Sequence, residues 1–137
     1  MRALLILLLV VISSPSLAQV KQTCDQTKAI SQAASTDIIT PNSPNNFLYV
    51  CSITFSLSDA ETVSVVEGTG STCGTGTKAL IGATTAANGM SVPLGGNVNL
   101  GSGSPFVWTQ VAGDHLCILQ SGTGRLSGVI NFLEHNP

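Results

Sequence analysis

Between residues 47 and 58 the odd positions read Phe47, Tyr49, Cys51, Ile53, Phe55 and Leu57, while Ser52, Thr54, Ser56 and Ser58 fill the even positions from 52 onward. Alternation with period two, rich in β-branched and aromatic residues, predicts a half-buried strand. Its apolar face carries Phe47, Tyr49 and Cys51 toward the core. Further strands are predicted over residues 62–67, 90–94, 106–111, 115–120 and 126–133, with Pro93 marking the 90–94 segment as an edge. Residues 78–82 read as a short strand or a single helical turn, and 27–34 as strand or coil. Between them lie turn signals: 41–46, Ser58-Asp59-Ala60, Asn88-Gly89, Gly95-Gly96, 101–105, Gly113-Asp114 and Gly122-Thr123-Gly124. Residues 68–77 are too rich in glycine for the interior of an element and are predicted as a loop. No segment sustains 3.6-residue apolar spacing, and there is no internal repeat. The expectation is one all-β domain, a single sandwich of jelly-roll-like type with seven or eight short antiparallel strands.

The N-terminus follows a different rule. Arg2 precedes an uncharged apolar run over residues 3–12, which Ser13, Ser14 and Pro15 break. Ser16 and Ala18 then place small residues at −3 and −1 of a cut before Gln19. This is the layout of a secretory signal peptide, residues 1–18, leaving a single domain over 19–137. The apolar run is about half of the roughly 20 residues a spanning helix needs, so no retained membrane anchor is expected. Gln19 rather than cysteine follows the cut, which argues against a lipoprotein.

Cys24, Cys51, Cys73 and Cys117 all fall after the signal. An even number of cysteines on an exported chain points to two disulfides with three possible connectivities. None stands in a CxxC pair and only two histidines exist, so zinc is the poorer reading. The preferred pairing is Cys24–Cys51 with Cys73–Cys117, joining the initial segment to the first long strand and a mid-chain loop to a late strand. Cys51–Cys117 with Cys24–Cys73 is the main competitor.

Composition narrows the function. Charged residues make up 9% of the chain, against roughly a quarter in ordinary domains, and the net charge is −2. Five cations spread along the chain cannot build a nucleic-acid channel or a polybasic lipid patch. About 30 serines and threonines suit β surfaces and turns.

Candidate chemistry is sparse. His115 beside Asp114 and His135 beside Glu134 lack ligand spacing, and read as a turn histidine and a solvated tail. The Gly-Thr run ends Gly76-Thr77-Lys78-Ala79 rather than in a P-loop's Gly-Lys-Ser/Thr. No serine sits in a Gly-x-Ser-x-Gly elbow, and Asp59 and Glu61 read as solvated hairpin residues. Trp108, the sole tryptophan, is expected in a partly buried core role rather than as an exposed anchor. No catalytic residue, cofactor or metal is assigned, and an enzyme is not expected. Edge strands with few charges favour packing against copies or other proteins.

Two groups of short motifs carry a resemblance. One comprises Leu48-Tyr49-Val50-Cys51-Ser52, Val65-Val66-Glu67-Gly68-Thr69-Gly70 and Cys73-Gly74-Thr75-Gly76-Thr77. The other comprises Ala86-Ala87-Asn88-Gly89, Gly113-Asp114-His115-Leu116-Cys117 and Ser127-Gly128-Val129-Ile130. Over residues 24–133 the chain resembles small β-sandwich proteins associated with tailed phages and prophages. The resemblance implies a jelly-roll-like virion decoration or head-fibre domain, a homo-oligomer such as a trimer, and contacts with a capsid or envelope protein surface. It transfers no catalytic residue and implies no nucleic-acid or membrane partner.

The expected function is thus a non-enzymatic structural or surface-display protein, secreted or periplasmic after signal cleavage or associated with a virion. A bacterial secreted adhesion or matrix subunit is the alternative. Donor-strand assembly is disfavoured within it, because residues 19–39 alternate only weakly. A periplasmic small-ligand or carbohydrate binder, with a single tryptophan to anchor its ligand, is the third reading.

Overall fold

The computed structural model describes residues 23–136; the signal-peptide assignment, residues 1–18, lies outside them. Ten strands follow in chain order. They are β1 (Gln26–Gln32), β2 (Thr36–Ile39), β3 (Phe47–Leu57), β4 (Glu61–Thr69), β5 (Thr75–Ile81), β6 (Met90–Val92), β7 (Asn97–Leu100), β8 (Val107–Trp108), β9 (His115–Gln120) and β10 (Leu126–His135). A single 3₁₀ turn, Ala86–Asn88, stands between β5 and β6. All pairings are antiparallel. One sheet runs β1-β10-β3-β7, with β8 also on β3; the other runs β2-β9-β4-β5, with β6 also on β4.

Burial of alternate positions drives the two sheets together. Ile53, Phe55 and Leu57 of β3 and Leu126, Ile130 and Phe132 of β10 share one core with Val63 and Val65 of β4 and Leu116 and Ile118 of β9. Apolar area removed from water on both inner faces is the main stabilising term of such a sandwich. The core is aliphatic, with Phe55 its largest fully buried side chain.

The expected strands are joined by two that the pattern misses. β2 and β7 have four residues each, with their neighbours serine- or glycine-rich, and pair at sheet edges. In each sheet the fourth position is filled by two collinear pieces. β7 lies along Ile53 to Ser56 and β8 along Tyr49 and Val50 of the same strand. β6 and β5 likewise share one edge of β4.

The phase of β3 differs from the odd-position reading. Ser52 pairs with Asn131 and Val50 with the next residue, Phe132, so Cys51 is an unpaired bulge residue. A bulge resets alternation. Leu48 and Val50 therefore join the core, while Tyr49 and Phe47 turn outward and are only partly buried. Gly101 crosses tightly over this bulge at φ +81, where a Cβ would strike the Cys51 carbonyl.

The expected loop over residues 68–77 also contracts. β4 continues to Thr69 and β5 begins at Thr75, with register shifts absorbing the glycines. The predicted strand 106–111 shrinks to Val107–Trp108: Phe106 and Thr109 still donate their N–H groups to the Val50 and Leu48 carbonyls at its two ends, and from Gln110 onward the chain leaves β3 for the Glu67 carboxylate.

Candidate functional site

Each sheet contributes one open edge to the same side of the sandwich, β5 from one and β8 from the other. Between them lies a pocket of about 300 Å³ lined by Ala79, Leu80, Phe106, Val107, Trp108 and Gln110. That volume is at the small end of ligand pockets. The register builds it: Val107 pairs with core-facing Val50 and points inward, so its neighbour Trp108, opposite Tyr49, points out. Trp108 is 52% exposed, and Phe106 and Val111 are exposed beside it in sequence.

The partly buried core role expected for Trp108 is therefore corrected. Strand alternation beside an outward Tyr49 leaves the indole no route inward. Its ring stacks on Tyr49 with centroids 6.2 Å apart and planes at 26°. His135, the last residue of β10 rather than part of a free tail, approaches the other side of Tyr49 at 6.4 Å.

Beneath the pocket rim sits Glu67, fully buried. It pairs with core-facing Leu116, so it points between the sheets. Its carboxylate accepts the backbone N–H of Gln110 and stands 3.7 Å from the half-exposed ammonium of Lys78. The charge-assisted hydrogen bond and the ion pair offset the cost of burying this charge in part, since Oε1 itself accepts no hydrogen bond. The carboxylate also ties the β4 sheet to the segment that follows β8. At the opposite end of β4, Glu61 does the same: its carboxylate accepts the N–H groups of Gly122 and Gly124. The reading of Glu61 as a solvated hairpin residue is thus corrected, because the 122–124 turn folds onto it. Neither carboxylate was distinguishable from a surface charge by local pattern.

Asp114 precedes β9 and is nearly buried; desolvation raises its carboxyl above the ordinary aspartate value, against the lowering fields of Lys78 and His115. His115, within β9 rather than in a turn, places Nδ1 3.7 Å from Asp37 of β2. Among the described residues no group of three or more His, Cys, Asp and Glu is placed to hold a metal ion.

Of the three connectivities open to four cysteines, the structure has Cys24–Cys51 and Cys73–Cys117, with Cα atoms 6.1 Å and 6.0 Å apart. The first ties the segment before β1 to the bulge of β3. The second ties the β4–β5 hairpin to β9 on the outside of its sheet, where Cys73, Cys117 and Val66 are all buried together. Two buried or half-buried disulfides point to an oxidising compartment. No helix among the described residues is long and apolar enough to cross a membrane.

The site is thus an exposed aromatic rim beside the buried Glu67 carboxylate, and the four cysteines are all taken up in cross-links. No protein-family profile, curated protein or solved structure matches this chain.

Proposed function

We propose that the protein is a non-enzymatic structural unit, exported by residues 1–18, that acts through contacts at a virion or cell surface, and that its sandwich is a jelly roll. Counting the collinear pieces β5/β6 and β7/β8 as one position each leaves eight positions. Their order is first-eighth-third-sixth in one sheet and second-seventh-fourth-fifth in the other. That order supports the double Greek key winding of a jelly roll.

The observation that carries the functional reading is the exposed aromatic pair Phe106 and Trp108 at an open sheet edge. Exposed aromatics beside unpaired strand edges favour association with a protein surface or with further copies. The disulfides support service outside the cytosol. A phage- or prophage-associated decoration domain is the reading preferred, with a secreted adhesion or matrix subunit second. The roughly 300 Å³ pocket favours a small-ligand role as a third reading.

Mass spectrometry of density-gradient-purified particles, beside particle-free periplasmic and supernatant fractions, tests the assignment. Peptides beginning at Gln19 and enriched with capsid protein support it. The same peptides confined to particle-free fractions remove the virion role and leave the adhesion or matrix subunit. Light scattering on residues 19–137 tests self-assembly, and a monomer at high concentration refutes that part.

A further inference from the structure

The outer faces of the two sheets differ. On the β2-β9-β4-β5 sheet the chain covers its own outer surface. Val66, Cys73 and Cys117 are buried there, and the Ser64 hydroxyl donates to the Thr85 carbonyl and accepts the Ala83 N–H. On the β1-β10-β3-β7 sheet the outward positions stay open and form cross-strand rows. One row is Thr27–Asn131–Ser52: the Thr27 hydroxyl donates to the Asn131 side-chain carbonyl at 2.7 Å, and the Asn131 amide donates to Ser52 Oγ at 2.8 Å. The next row is Ala29–Val129–Thr54–Asn99, in which Val129 is exposed and the Thr54 hydroxyl donates to the Asn99 side-chain carbonyl at 3.1 Å, leaving the Asn99 amide hydrogens to solvent. The row beyond repeats the chemistry with Ser31, Ser127, Ser56 and Asn97. At the far end of β3 stands the stacked pair Tyr49 and Trp108.

We infer that this face is a binding surface for a neutral, hydroxyl-rich polysaccharide chain, with Trp108 on Tyr49 as its stacking platform. Charge decides the class of occupant. No outward strand position of the face carries Lys, Arg, Asp or Glu; two cations border it, Lys28, exposed on the edge strand β1 in register with core-facing Ile130, and Arg125, which donates to Ser31 at 3.3 Å. A nucleic acid or an acidic glycan would find no field of cations. A protein partner would meet Val129 and Ala29 in the middle row, but with rows of hydroxyls and amides on both sides where stable interfaces place a broader apolar centre. A neutral glycan fits both halves of the face. Sugar hydroxyls exchange donors and acceptors with Ser, Thr and Asn side chains already held in place by their neighbours, which lowers the ordering cost of binding. The apolar C–H face of a sugar ring packs on the exposed indole, an aromatic surface with a polar handle. Rows about 7 Å apart along the strands and about 4.8 Å across them make a flat array suited to an extended chain rather than to an enclosed monosaccharide. The inference is independent of whether the protein rides on a particle.

Native affinity electrophoresis of the disulfide-bonded protein tests it, in gels containing glucomannan, xyloglucan, dextran or soluble starch, with alginate as the acidic comparison. The expected result is retardation by at least one neutral polysaccharide and none by alginate. Trp108→Ala, and separately Thr54→Glu, should weaken that retardation roughly tenfold or more while thermal melts show a folded protein. Ala79→Leu fills the pocket but leaves the face intact, and should bind like the parent. Retardation by none of the four neutral gels, or by alginate alone, overturns the inference. So does loss of binding in Ala79→Leu with retention in Thr54→Glu, which would assign the ligand to the pocket.

Discussion

Removing the Cys73–Cys117 bridge by the double substitution C73A/C117A should cost distinctly more stability than removing Cys24–Cys51 by C24A/C51A. The loops closed span 44 and 27 residues. In the chain-entropy model these correspond to about 4 and about 3.5 kcal/mol, a difference of only about half a kcal/mol. Packing widens the gap. Cys73 and Cys117 are fully buried, and with Val66 they form a small core on the outside of the β4–β9 pair, with Leu119 against it. Releasing the hairpin tip uncovers Val66, adding about 1.5 kcal/mol or more of lost apolar burial. Cys51 is fully buried as well, but its partner Cys24 is half-buried and precedes β1, which stays paired to β10 over seven residues without the bridge. The expected losses are therefore about 5.5 and about 3.5 kcal/mol, within a total of roughly 5–15 kcal/mol for a domain. Guanidinium unfolding followed by far-UV circular dichroism reads this as a midpoint drop of roughly 1–2 M for C73A/C117A, with a smaller drop for C24A/C51A. If C24A/C51A loses as much as C73A/C117A or more, the assignment of the outer small core to the second bridge is wrong.

Glu67→Ala leaves the Gln110 N–H without its acceptor and Lys78 without its counter-charge, and should cost roughly 2–4 kcal/mol in chemical denaturation; an unchanged midpoint would refute the coupling across the rim. Asp114 has a folded-state pKa raised by desolvation, so the native state binds more protons than the unfolded one above the ordinary aspartate value of 3.8, and stability falls as pH rises through that window. Asp114→Asn should accordingly raise Tm at pH 7, with the gain shrinking toward zero as pH approaches 3.8; a gain that grows on acidification would reverse the sign. Gly128→Ala puts a Cβ onto the Thr54 carbonyl and within 2.6 Å of the Phe55 Cα in the centre of a sheet, and should cost about 3 kcal/mol or more. Gly103→Ala, with a left-handed φ of +94 but open space around it, should cost only about 1–2 kcal/mol; a loss at Gly128, whose φ is not left-handed, no larger than at Gly103 would refute the steric reading of Gly128.

Local chemistry alone specified several features of this protein. The alternation over Ser52 to Leu57 gave its inward face correctly, because no bulge interrupts it and each side chain's face follows from the pleat. His115 to Gln120 was legible to the residue, since Gly113-Asp114 and Ser121-Gly122 punctuate its ends. Two disulfides in an all-β chain followed from four cysteines and an absence of helical periodicity.

Tertiary structure decided the rest, for one recurring reason: pairing partners lie far away in sequence. The phase of Phe47 to Val50 depends on a bulge that exists only because β10 pairs with β3 on both sides of Cys51. Trp108 faces outward because its two-residue strand registers against Tyr49, a partner 59 residues away that no local pattern names. Glu61 and Glu67 look like surface carboxylates until the turns at 122–124 and 110 close over the ends of β4 and supply N–H donors. Short strands such as β2 and β7 carry too few alternations to be recognised, and they are stabilised by the long strands beside them. The open outer face of one sheet and the covered face of the other likewise have similar alternation in sequence. What separates them is where the hairpin of Cys73 and the turn at Ala86–Asn88 come to rest, and long-range packing alone determines that.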